Sequence, residues 1–108
     1  MKLWVDDVRP APEGYVWCHS VDFAKEMVEY CELCLNNEKD KRVIKEYTID
    51  FIDLDHDAGE YGPPDYIKLL DWLEETGRNY PIRIHSMNPV GVANMRRIIE
   101  RNGWTEVK

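Results

Sequence analysis

Acidic residues and histidines gather at three separate places in this chain. Asp6-Asp7 follows the apolar run Lys2–Val5. Asp55-His56-Asp57 follows Ile49–Leu54, inside the stretch DFIDLDHDAGEYGPPD. His85-Ser86-Met87-Asn88-Pro89 follows the apolar PIRI. Carboxylates brought close together repel one another unless a cation lies between them. A hard divalent ion resolves that conflict, and Mg2+ suits a few carboxylates supplemented by water and phosphate oxygens. Asp6, Asp7 and Asp55 are therefore the candidate metal ligands. A solvated acidic rim without chemical meaning is the competing reading of the same residues.

The neighbouring groups suit phosphate. Arg9 follows the acidic pair and has the fork geometry for a bidentate contact, or for an ion pair with Asp7 or Glu13. Ser86 and Asn88 stand just before a helix start, where free backbone N–H groups favour an anion. His85 and His56 titrate near neutral pH and are candidates for general acid–base work. Asp57 would orient a histidine or the waters of a metal. Asp53 shares a face with Phe51 and Asp55 on a regular strand. Buried there it needs a partner, with Arg83 the candidate, and it reads as structural.

Positioning these groups requires strands that end where the charges begin. Lys2–Val5, Tyr15–Cys18, Ile49–Asp55 and Pro81–His85 read as strands, and Trp104–Val107 as a short last one. Ser20 caps a helix from Val21 whose stripe is Phe23, Ala24, Met27, Val28, Cys31, Cys34 and Leu35. Pro64-Asp65 opens another helix with Ile67, Leu70 and Leu73 inward and Tyr66, Leu69 and Trp72 widening its core face, ended by Gly77. Asn88 and Pro89 supply the N-cap and first turn of a third, ended by Gly103. Val43–Thr48 is open between helix, strand and lead-in. Strands alternating with helices predict a mainly parallel sheet, with ligands beyond the carboxyl ends of its strands. Those ends are where the charges collect.

One domain, 1–108, is expected from the length, with four Trp and six Tyr available to fill a core. No apolar run approaches the length of a membrane span and no leader is visible, so a cytoplasmic protein with no membrane association is expected. The net charge of −7 argues against broad binding of duplex nucleic acid. Arg96, Arg97 and Arg101 cluster on one helix and read most simply as a solvated face. Three cysteines, Cys18, Cys31 and Cys34, favour reduced thiols. A Cys3His zinc site with His19 is conceivable from the C-x-x-C spacing, but buried thiols on a helix face account for the pattern.

The blocks LWVDDVRPAPEG, LDHDAG and HSMNPVG, which span Leu3 to Gly91, together resemble the cyclic-phosphate processing receiver-like domains, relatives of response-regulator receivers. The resemblance implies a flavodoxin-like three-layer sandwich of four to five strands. It also implies Mg2+, or the similar Mn2+, on Asp6, Asp7 and Asp55, and a small phosphorylated ligand or cyclic-phosphate end as partner. The chain departs from ordinary receivers in its Pro-containing loop after the first strand, so the first crossover helix is missing. The strand that carries the receiver lysine is also absent or reduced to Trp104–Lys108. Leu54-Asp55-His56-Asp57 echoes haloacid-dehalogenase phosphatases as well, but their motif sits on the first strand. The expected function is a metal-dependent phosphoesterase that binds or hydrolyses a cyclic phosphate. The alternative is a non-enzymatic signalling or phospho-ligand module with Asp55 as phospho-acceptor and a protein partner to receive the signal.

Overall fold

The computed structural model describes residues 1–36, 38–55, 66–86 and 88–108. Five short strands form one parallel sheet: β1 (Lys2–Val5), β2 (Tyr15–Cys18), β3 (Phe51–Leu54), β4 (Ile82–Ile84) and β5 (Glu106–Val107). Their order is β2-β1-β3-β4-β5, the flavodoxin-like order. Four helices accompany them: α1 (Val21–Leu35), α2 (Lys41–Tyr47), α3 (Ile67–Glu75) and α4 (Pro89–Asn102).

Period-two alternation divides the sheet into two faces. Leu3, Val5, Ile52, Leu54 and Ile82 are fully buried and join Ala24 and Val28 of α1, Leu69, Leu70 and Leu73 of α3, and Met95 and Ile99 of α4 in one core. The connections β2 to β3, β3 to β4 and β4 to β5 all run the same way across the sheet. Right-handed crossovers then place their helices on this one face. The other face carries Trp4, Tyr15 and Phe51 as an edge-on aromatic row.

The missing first crossover helix follows from how β1 and β2 are joined. Residues 6–14 form no helix. Asp6 N–H donates to the Cys18 carbonyl, Tyr15 N–H to that of Pro12, and Gly14 turns the chain at a φ of 88°. The Trp4 indole N–H donates to the Arg9 carbonyl at 2.9 Å and that of Trp17 to the Asp6 carbonyl at 2.7 Å. Two tryptophans thus tie down a loop where a helix would otherwise cover the sheet.

The helix boundaries lie where the capping residues put them. The Ser20 hydroxyl accepts from Phe23 N–H, and Asn88 Oδ1 accepts from Val90 and Gly91 N–H. Gly77 and Gly103 take the left-handed conformation past the ends of α3 and α4. Of the open segment 43–48, Val43–Tyr47 falls in α2, which Asp40 caps, and Thr48 is its extended C-cap. The α1 stripe is narrower than its apolar residues suggest: Ala24, Val28 and Cys31 are buried, whereas Phe23 is 40% exposed. Cys18 and Cys31 are free buried thiols, and burial pushes that of Cys18 up to about 12, helped by the charge of Cys31. Neither belongs to a cluster of metal-ligating side chains among the described residues. No helix there is long and apolar enough to cross a membrane.

Candidate active site at the carboxyl edge of the sheet

Parallel strands in register carry their ends to one edge. Val5 pairs with Leu54 and Leu54 with Ile84, so the residues that follow, Asp6, Asp55 and His85, become neighbours. Each offers one ligand atom, and the three atoms lie within 4.8 Å of one another. Asp6 and Asp55 are buried, and His85 is mostly so.

Asp6 is held on both oxygens. Its Oδ1 accepts from the backbone N–H groups of Val8 at 2.8 Å and Arg9 at 2.9 Å. Its Oδ2 meets His85 Nε2 at 3.1 Å. The other ring nitrogen of His85, Nδ1, lies 2.5 Å from Asp53 Oδ1. The Trp4 ring stacks on the imidazole at 3.7 Å and 6°. His85 is therefore fixed at both nitrogens and across one face. Burial alone would lower its pKa. The hydrogen bond to Asp53 and its charge, the hydrogen bond to Asp6 and the charge of Asp55 outweigh burial and leave it raised.

Asp53 was expected to be structural and to pair with Arg83. The Arg83 Nη1 does approach its Oδ2, at a loose 3.8 Å with the guanidinium half exposed. Its short contact is with His85, so the carboxylate serves the site. The contact follows from the strand register: Asp53 pairs with Arg83 across β3 and β4, and His85 lies two residues further along the same face.

Asp7 stands beside the cluster rather than in it. Its side chain is exposed, its carboxylate accepts from the Tyr66 hydroxyl, and its N–H donates to that hydroxyl at 2.8 Å. Tyr66 is almost fully buried just before α3. Burial and the hydrogen bond to Asp7 push its phenol pKa up. Sequence reasoning assigned Tyr66 to the core, because no local pattern pairs a helix-entry tyrosine with an acid near the other end of the chain.

The expected phosphate ligands lie along the same edge. Arg9 is exposed on the β1–β2 loop. Ser86 Oγ accepts from Asn88 N–H at 3.1 Å. Asn88 spends its carbonyl oxygen on capping α4, which leaves its amide nitrogen as the group able to meet an anion. His56 and Asp57 lie outside the described residues. The third histidine, His19, stacks on Trp17 at 4.2 Å.

A parallel five-stranded sheet in this order, with carboxylates at the ends of β1 and β3, defines a receiver-like domain. The family model of the cyclic-phosphate processing Receiver domain matches residues 1–101, and the chain belongs to that family. The match ties the domain to cyclic-phosphate processing. No curated protein and no solved structure matches the chain.

Proposed function

We propose that the domain is a divalent-cation-dependent phosphoesterase that opens a cyclic phosphate. The observation that carries this reading is the meeting of Asp6, Asp55 and His85 at one sheet edge. The carboxylates of Asp6 and Asp55 suit Mg2+ or Mn2+, and the imidazole of His85 beside them is left to handle a proton. A cation there would polarise a phosphate oxygen and acidify a bound water. Everything else falls to the chain. Asp53, Asp6 and Asp55 raise the pKa of His85 against the opposing effect of burial, which favours the ring protonated on both nitrogens. Asp53 keeps a proton on Nδ1 and fixes the ring, so it is a positioning residue. The Nε2 proton, now shared with Asp6, is the one to pass to the leaving oxygen. Water adds to phosphorus, one ester P–O bond breaks, and a phosphomonoester results. Arg9, Ser86 and Asn88 would bind the non-reacting phosphate oxygens. His56 is the second candidate for proton transfer, and Asp57 would orient it.

The test is turnover of a panel of cyclic phosphates, including nucleoside 2′,3′-cyclic phosphates, with Mg2+, with Mn2+ and with chelator. Asp55→Asn and His85→Gln should each lose about 100-fold or more, the usual loss on removing a general acid or a metal ligand. Turnover that persists in chelator refutes the proposal. The rival reading, phosphorylation of Asp55 itself, predicts instead a hydroxylamine-sensitive adduct at Asp55 after incubation with a small phosphodonor.

A further inference from the structure

A hollow of about 410 Å³ runs along the outer side of α4. It begins at Ser86, the residue after His85, passes the small apolar wall of Val92 and Ala93, and ends at Arg96, Arg97 and Glu100. A chain of net charge −7 thus places two arginines in the lining of one hollow. They are not equivalent. Arg96 gives Nε to both carboxylate oxygens of Glu106, at 3.0 and 3.2 Å, so its charge is largely answered. Arg97 gives Nη1 to the neutral Oδ1 of Asn94 at 3.1 Å and keeps its charge. From Pro89 to Arg97 the helix climbs about 12 Å, the right scale for a group remote from the one that reacts.

We infer that this hollow binds a second phosphate group of the substrate, with Arg97 as its main cation. The inference rests on the cyclic-phosphate reading and narrows its substrates to those that carry another phosphate. The phosphate can belong to the strand preceding a cyclic end or hang from a single nucleotide. Glu100 opposes it and keeps the contact weak enough to release.

Three probes separate these cases: a nucleoside 2′,3′-cyclic phosphate, the same molecule with a 5′-phosphate, and a trinucleotide with a cyclic end. Arg97→Gln should raise KM about tenfold for whichever probe carries the second phosphate, the cost of one charge-assisted contact. It should leave the bare nucleoside cyclic phosphate unchanged. Glu100→Gln should act in the opposite direction. A gain for the trinucleotide alone identifies a strand, and an equal gain for the 5′-phosphorylated nucleotide identifies a pendent phosphate.

Equilibrium binding of a labelled trinucleotide bearing a plain 3′-phosphate gives a readout without turnover. Raising salt about fourfold should weaken that binding by roughly 2.6-fold for each phosphate contact, and Arg97→Gln should remove one such factor. Binding that depends on Arg97 without any turnover keeps the hollow and discards the enzyme. Turnover or binding indifferent to Arg97→Gln, or equally impaired for all three probes, overturns the inference.

Discussion

Removing the Asp53 carboxylate should lower the pKa of His85. In Asp53→Asn the ring loses its 2.5 Å partner and the nearest negative charge, while burial continues to disfavour the imidazolium. The C2 proton of His85, followed by NMR in chelator, should titrate at lower pH in the variant than in the parent. The same shift bears on stability. The folded pKa of His85 lies above its ordinary 6.5, so the native state binds this proton more tightly than the unfolded chain. The contribution is complete below about pH 6.5 and is lost as pH rises from there through the folded value. Urea midpoints of the parent should fall across that window, and those of Asp53→Asn should fall less. Asp6, Asp55 and His85 were legible one by one because each follows an apolar run. The Asp53–His85 pair was not, because the pairing depends on β3 and β4 being adjacent and in register.

Helix ends were the most legible elements, because a cap is a local event that few residues decide. Ser20, Asn88 with Pro89, Gly77 and Gly103 act where their chemistry predicts. Helix α2 was not legible. None of its side chains is fully buried, so Val43, Ile44 and Tyr47 show no clean period. The first-strand loop was legible as an absence, since Arg9–Gly14 holds too much proline for a helix. What replaces the helix, two indole N–H bonds and an aromatic row, required the structure. Gly103→Ala tests the caps. The glycine sits at a φ of 67° with open space around its α-carbon, so the cost is backbone strain alone, about 1 kcal/mol. Asn88→Ala should cost a similar amount, about 1 kcal/mol, by stripping the cap from Val90 and Gly91. Denaturant midpoints measure both. Only Asn88→Ala should also weaken binding of inorganic phosphate, because Gly103 lies at the opposite end of α4.

At the scale of the molecule, the metal reading makes a claim about folding as well as catalysis. Asp6 and Asp55 follow two different strands, so a cation held between them beside His85 exists only when β1 and β3 are assembled. An ion that binds the folded chain and not the unfolded one stabilises it by RT ln(1 + [L]/Kd), about 2.7 kcal/mol at a hundred times Kd. In a domain of this size each kcal/mol moves Tm by roughly 4 °C, so saturating Mg2+ should raise Tm by roughly 10 °C. A net charge of −7 would let any divalent salt stabilise the chain slightly by screening. The comparison is therefore with Asp55→Asn at matched ionic strength. The specific shift should vanish in that variant and persist in Asp22→Asn, which removes an equal charge from the exposed first turn of α1. Asp7→Asn separates the two kinds of acid at the end of β1. Its carboxylate is engaged by Tyr66 and lies outside the three-atom cluster, so this variant should keep most of the Mg2+ shift while Asp6→Asn loses it. Equal shifts in all four variants would mean that the acidic edge only gathers counterions.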